Sequence, residues 1–180
     1  MSDQSSPPPP GIQAAPGAAP GVGPLVLNIQ YTKDLSFEVP GAPEIFATLR
    51  EPPRVDIQLD VQARTLQEGA GVFEVTLKVR ADAKAQLNNA EQTCFIAELA
   101  YCGIFTVNVP QEQVEPVLLV ECPRLLFPFA RNILADVTRD GGFPPVLLAP
   151  IDFVALWQSR RAGSGNGGGG FAAGDVVGHA

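Results

Sequence analysis

The sequence predicts an α+β protein, in which a four-stranded, mostly antiparallel sheet is followed by a long helix and a short C-terminal helix. Two segments in the first half of the chain alternate strictly between apolar and polar residues, which is typical of strands with one covered face. After residue 110 the apolar residues recur at every third or fourth position, the spacing of an amphipathic helix. Strands therefore come first and helices last, which is the order of an α+β fold.

The strands are predicted at about residues 25–37, 55–64, 73–85 and 91–107. The short, glycine-containing link at 67–71 predicts an antiparallel hairpin between the second and third strands. Leu87, Asn88 and Asn89 form a second tight connection. Residues 38–54 instead contain four prolines and no hairpin signal. We therefore expect a crossover between strands one and two rather than a direct turn.

The fourth strand differs from the others because both of its faces are apolar between Phe95 and Phe105. A strand in a sheet with one solvated face should alternate instead. One explanation is a buried central strand. The other is that a second sheet, supplied by another subunit, covers one face, and the pattern alone leaves both open.

The long helix is predicted to begin near Pro123, a favourable residue at a first helical position, and to end at the glycine pair 141–142. Pro128 either lies in the first turn or bends the helix. Residues 111–121 fit either a helix or a short strand. Asp152 is a favourable N-cap for the last short helix.

Both ends of the chain differ in composition from the middle. Residues 1–24 contain seven prolines among small and polar residues, and residues 162–180 are rich in glycine and alanine. We expect both ends to be disordered tails, because they contain too few large apolar groups to offset the entropy of ordering the backbone. Residues 25–161 then form one domain with a substantial core.

The net charge of −7 disfavours nucleic acid and anionic membranes as partners, because both attract clustered Lys and Arg. The N-terminus lacks the basic start and apolar run of a signal peptide, and no apolar stretch of about 18 residues could span a membrane. The three cysteines, Cys94, Cys102 and Cys122, have no CxxC spacing and are expected to be reduced thiols. We therefore expect a cytoplasmic protein.

Few residues could support enzyme chemistry. The single histidine, His179, lies near the end of the C-terminal tail, which excludes a histidine-dependent nucleophile or a histidine-bearing zinc site in the domain. No GxxxxGK[ST] or GxGxxG motif follows a predicted strand, so no phosphate-binding loop is predicted. We expect no enzyme activity, no cofactor and no bound metal.

Two groups of side chains could bind partners. Asp34 and Glu38 share a face of their strand, and Glu98 interrupts the apolar fourth strand. With no basic residue predicted beside them, these acids either bind a basic partner or face solvent. Three aromatic residues lie in or beside proline-rich loops: Phe46, Phe143 and Trp157. They belong either to the core or to an exposed, protein-binding groove.

Several irregular strings of residues resemble SecB, the bacterial protein-export chaperone family. They are residues 31–38 (YTKDLSFE), 40–43 (PGAP), 103–105 (GIF), 122–131 (CPRLLFPFAR), 142–145 (GFPP) and 148–153 (LAPIDF). The strings occur in order over about residues 25–157, so together they are far more specific than one motif. The two tails lie outside the similarity.

The resemblance implies a homotetramer, a dimer of dimers, with the long helix buried between dimers. It also implies a surface that docks the SecA motor, whose basic C-terminal tail carries its own zinc. The docking positions of the family correspond to Asp34, Glu38, Ile96 and Glu98. Its subunit-pairing positions correspond to Ala97, Leu99 and Tyr101, which would explain the doubly apolar fourth strand.

The function implied is that of an ATP-independent holdase, which keeps precursor proteins unfolded and delivers them to SecA. We expect the client-binding groove to run under the crossover loop and the C-terminal helix. Its predicted lining is Phe46, Phe143, Phe153 and Trp157. The alternative is an oligomeric adaptor or structural protein that binds a folded partner. An enzyme is the least supported possibility.

Overall fold

The computed structural model describes residues 23–67, 69–87, 90–163 and 172–173. It contains four long strands: β1 (Leu25–Glu38), β2 (Arg54–Gln67), β3 (Val72–Leu87) and β4 (Ala90–Val107). They pair antiparallel in the order β1-β4-β3-β2. Because β1 and β2 lie on opposite sides of the β3–β4 pair, the link between them must cross the sheet. The predicted four-stranded sheet and its crossover are confirmed.

The edge of β2 carries an additional strand of two residues, β5 (Ala172–Ala173), which pairs antiparallel with Ile57 and Gln58. The sequence did not predict this strand. Otherwise, most of the two predicted tails, 1–24 and 162–180, lies outside the described residues. Their disorder stays a prediction.

The crossover contains a short helix, α1 (Glu44–Thr48), where the sequence predicted only a loop. Its backbone bonds run from Ile45 N to Gly41 O, at 2.8 Å, and from Leu49 N to Ile45 O, at 2.9 Å. Ile45 is buried in the core and so anchors the crossover to the rest of the domain.

The second half of the chain is helical. It contains α2 (Gln111–Pro116), a π-helical turn (Val117–Glu121), α3 (Cys122–Asp140) and α4 (Phe153–Gly163). The ambiguous segment 111–121 is therefore helical, and its apolar side chains Leu118 and Val120 are buried. Pro128 lies inside α3 rather than in its first turn. Asp152 accepts bonds from the backbone N–H groups of Val154 and Ala155, both at 3.0 Å, and is the predicted N-cap of α4.

The four long strands have an inner face covered by helices and an outer face that carries their charged side chains. Odd-numbered residues of β3, from Val75 to Ala83, point to the inner face and are buried. Even-numbered neighbours such as Lys78 and Arg80 point to the outer face. A Cβ at Gly103 would lie 2.9 Å from Leu126 Cδ2, so this glycine lets α3 approach β4 closely.

Candidate functional site

An acidic surface forms on the outer face where β1 pairs with β4. Directly opposed residues in antiparallel strands share a face. Asp34 lies opposite Ala100, and Glu38 lies opposite Ile96. Glu98 lies between these two rows, opposite Ser36. The structure therefore brings together the four predicted docking residues, which we call the acidic surface: Asp34, Glu38, Ile96 and Glu98.

The expectation that these acids have no basic neighbour is wrong for Glu98. Arg80 of β3 contacts Glu98 through Nη1. It also donates from Nε and Nη2 to the two carboxylate oxygens of Asp82, both at 2.8 Å. These hydrogen bonds, that to Asp82 first, raise the pKa of the Arg80 guanidinium. Within the described residues Asp34 makes no ion pair, and it and Glu38 are exposed. The free negative charge therefore lies mainly along β1.

A buried carboxylate at the other end of the outer face was not predicted. Glu74 of β3 is only 2% exposed. It accepts a hydrogen bond from Arg64 Nε at 2.6 Å, one from Lys33 Nζ at 3.1 Å and one from the Tyr31 hydroxyl. These donors, with Arg64 and then Tyr31 contributing most, lower the pKa of Glu74 to about 2. The bond to Glu74 is also the main reason that the pKa of Tyr31 is raised to about 12.

We call this group the Glu74 cluster: Tyr31, Lys33, Arg64 and Glu74. The alternating pattern of β3 assigned Glu74 to the polar face of the strand, away from the core. The structure places Glu74 on that face, but buried. Burial follows because three long side chains from β1 and β2 cover it. Arg64 lies directly opposite Glu74 across the predicted hairpin, and this opposition of charges was the one signal in the sequence that could have indicated the contact.

The three predicted subunit-pairing residues lie on the inner face rather than on an open surface. Ala97, Leu99 and Tyr101 are all buried within the protomer. The Tyr101 ring stacks on Phe129 of α3, with centroids 6.2 Å apart and planes 16° apart. The cover by α3 thus explains why one of the two faces of β4 is apolar. Because these residues are buried under α3, they could affect subunit pairing only through the position of α3. Their role in pairing stays a prediction.

Exposed apolar side chains lie on α3 and on the edge strand β1. Phe129 is 47% exposed, and Leu125, one helical turn earlier, is exposed on the same side. Leu35 of β1 is exposed as well and lies opposite Leu99, next to the row of Tyr101. We call these three residues the α3–β1 apolar surface. Large exposed apolar groups that lie together mark sites of association with another protein.

The four predicted groove residues fall into two separate groups. Phe46 of the crossover contacts Phe143, with ring centroids 5.3 Å apart, and Phe143 packs on Phe95 at 4.8 Å. Phe153 packs edge-on against Phe127, at 5.9 Å. Trp157 donates from Nε1 to Glu115, at 3.1 Å, and lies under the Arg161 guanidinium.

Only part of this predicted lining is accessible in the protomer. Phe46 is 48% exposed, whereas Phe143 and Phe153 belong to the core. Phe143 is buried despite its proline-rich neighbourhood because Gly142, with φ of 87°, turns the chain back onto the sheet after α3. The role of the four residues in client binding stays a prediction.

The three cysteines are free and buried. Burial raises the pKa of the Cys94 thiol, and it raises that of Cys122 to about 12. Within the described residues no three His, Cys, Asp or Glu side chains lie close enough together to hold a metal ion. Across the same part of the chain, no helix is both long and apolar enough to cross a membrane.

The sequence matches a known protein family. The family model described as preprotein translocase subunit SecB matches residues 21–164. The chain is 67% identical to the protein-export protein SecB of Granulibacter bethesdensis over 142 residues, which cover 77% of this chain and 83% of the relative. It is 64% identical to the SecB of Acidiphilium cryptum over 151 residues, covering 78% and 91% of the two chains.

A solved structure shares the fold at low sequence identity. The SecB-like chaperone Rv1957 of Mycobacterium tuberculosis, in complex with a ChAD peptide from the antitoxin HigA1, superposes with a TM-score of 0.55 at 14% identity. The superposition covers 71% of this chain and 91% of that one. Its fold agrees with the sheet and helices described above. The family match and the identities together show that the chain belongs to the SecB family of protein-export chaperones.

Proposed function

We propose that this chain is a cytoplasmic, ATP-independent holdase that binds unfolded precursor proteins as a homotetramer and delivers them to the SecA motor. The observation that carries the proposal is the acidic surface, where Asp34, Glu38, Ile96 and Glu98 converge from two paired strands. Such a surface complements a basic segment of a partner, with Ile96 as an apolar contact. The resemblance to the SecB family implies that this segment is the basic C-terminal tail of SecA.

Holding a client requires no bond chemistry. A chaperone that binds the unfolded chain but not the folded one shifts the folding equilibrium by RT ln(1 + [L]/Kd), which is about 2.7 kcal/mol when its concentration is 100 times Kd. Several weak apolar contacts on one assembly add through their high effective concentration. The peptide bound by the Mycobacterium tuberculosis neighbour supports peptide binding by this fold.

The exposed Phe46 is the group best placed to begin client contact. Its ring lies on Phe143 and beside Gly142, where a Cβ would come within 3.1 Å of the ring. An apolar client side chain that displaced Phe46 would reach Phe143 and, behind it, Phe95. The crossover therefore offers a graded apolar surface, whereas of the two predicted residues on α4 Trp157 is partly exposed and Phe153 lies in the core.

Tetramer formation is supported by two features of the protomer. The α3–β1 apolar surface exposes large side chains that a second copy would cover. Strand β1 has 14 residues and pairs, within the described residues, only with β4, so one edge is free for another chain. Both features involve β1.

The test is a refolding assay. A slow-folding exported precursor is diluted from denaturant with and without an excess of the purified protein, in the absence of nucleotide. We expect refolding to slow in proportion to the chaperone added, and SecA to relieve the arrest. Unchanged refolding at excess protein would contradict the proposal, and a preference for the native precursor would indicate an adaptor.

A further inference from the structure

The acidic surface depends on a bulge in β1. The β1–β4 register shifts between Thr32 and Asp34, so that Lys33 is an extra residue with no opposite partner. Tyr31 lies opposite Cys102, and Asp34 lies opposite Ala100. Since both partners are even-numbered residues of β4, Tyr31 and Asp34 share the outer face.

Without the bulge, the docking acids would lie on the wrong face. Counting on from the Tyr31–Cys102 pair with no extra residue, Asp34 would fall opposite Leu99, an inner-face residue. A slip of one residue moves every following side chain to the other face. Glu38 would then turn inward as well, away from Ile96 and Glu98. The bulge therefore decides whether the acidic surface exists.

The Glu74 cluster holds this bulge. Lys33, the extra residue, donates to Glu74 at 3.1 Å, and Tyr31, two residues earlier, donates to the other carboxylate oxygen. Both side chains reach across β4 to Glu74 on β3. Arg64 donates to Glu74 from β2 on the opposite side and so completes its hydrogen bonding. Because Glu74 is buried and accepts all three donors, it fixes the two β1 side chains at one point.

We propose that Glu74 is a positioning residue for the acidic surface: through Tyr31 and Lys33 it fixes the β1 bulge that places Asp34 and Glu38 beside Ile96 and Glu98. This inference rests on the proposed function, since it concerns the same docking site. Glu74 itself is too buried to contact a partner. Its effect on docking is indirect and comes from the geometry of β1.

The test uses purified SecA as the probe, titrated calorimetrically against the full-length protein. We expect Glu74→Gln, which keeps the side-chain volume but loses the charge, to weaken SecA binding by about tenfold. The matched control is Glu91→Gln, which removes another ion-paired carboxylate, bonded to Lys84 at 3.2 Å, and should leave binding unchanged. Equal binding by wild type and E74Q would overturn the inference.

A second variant separates positioning from simple charge. Lys33→Gln makes the outer face more acidic, so long-range electrostatics predicts tighter binding of a basic partner. Positioning predicts weaker binding, because one of the two side chains that hold the bulge is lost. Tighter binding by K33Q would overturn the inference. The same variant decides the question if E74Q fails to fold.

A double-mutant cycle distinguishes the positioning of the acidic surface by Glu74 from a general effect of Glu74 on the structure. In a D34N/E38Q background, adding E74Q should cause little further loss of SecA affinity, because the groups that Glu74 positions are already neutral. Full additivity would contradict the inference. Absence of SecA binding by the wild-type protein would overturn the proposed docking function itself, which is a different outcome from equal binding by both proteins.

Discussion

The Tyr31 hydroxyl on β1 donates to the Glu74 carboxylate on β3, and its side chain crosses the intervening strand β4 to do so. This one contact ties the free edge of the sheet to its centre. The segment of β1 that this contact holds continues directly into Asp34 and Glu38. Stability and partner recognition therefore share the same strand.

The pH dependence of stability should report on Glu74. Its pKa is lowered to about 2 in the folded state, from an ordinary value of 4.5. A lowered folded-state pKa adds stability above the unfolded pKa, and that stability is lost as the pH falls from about 4.5 towards 2. The contribution is on the order of 3 kcal/mol at neutral pH.

We therefore expect the free energy of unfolding of E74Q to be lower than that of the wild type at pH 7, with the difference shrinking as the pH falls towards 2. Urea denaturation at several pH values and one fixed protein concentration measures this. A difference that does not change with pH would show that the pKa of Glu74 is not lowered in the folded protein.

Charge reversal on the acidic surface should abolish SecA binding while leaving the assembly intact. D34K/E38K inverts the two exposed acids on β1, which have no ion pair to lose within the described residues. E98Q should cause a smaller loss, because Arg80 already neutralises part of the Glu98 charge. Titration calorimetry and native mass spectrometry check both points, and unchanged affinity of D34K/E38K would remove β1 from the docking site.

Truncation of Phe129 should weaken the tetramer more than it weakens the protomer. Phe129 is half exposed and stacks on Tyr101, so a partner subunit would bury the remainder of the ring. We expect F129A to shift the assembly towards smaller species at micromolar concentration, with an unchanged far-ultraviolet circular dichroism spectrum. Leu147→Ala, at another exposed apolar residue, is the matched control. A fully tetrameric F129A would exclude α3 as the pairing surface.

Gly103 should tolerate no side chain. A Cβ there would lie 2.6 Å from the Phe105 ring and 2.9 Å from Leu126 Cδ2, within the contact between β4 and α3. Overpacking of this kind costs about 1–3 kcal/mol, so urea should unfold G103A at a clearly lower concentration. Gly41→Ala, whose new Cβ would approach Ile45 Cβ to an ordinary 3.5 Å, should differ little from the wild type.

The regular parts of this fold could be predicted because their patterns are local. Alternation along the chain predicted β2 and β3, prolines without a hairpin signal predicted the crossover, and Asp152 predicted the start of α4. Each of these depends on the residues within one segment and its immediate neighbours.

The details of the site depend on register and on packing between distant segments. A one-residue bulge at Lys33 leaves no distinct signature in the sequence, and the contact of Arg80 with Glu98 requires knowing which strands are adjacent. Phe143 is buried because Gly142 adopts a positive φ, which the flanking prolines obscured. The positions of Ala97, Leu99 and Tyr101 under α3 likewise follow only from tertiary packing.

Native mass spectrometry of the purified protein, with and without a denatured precursor, is the direct test of client binding by a tetramer. A tetrameric holdase predicts a complex of four 19.0 kDa chains that binds the unfolded precursor in the absence of nucleotide and does not bind the same precursor once it has folded. A monomer that shows no affinity for unfolded polypeptide would contradict it.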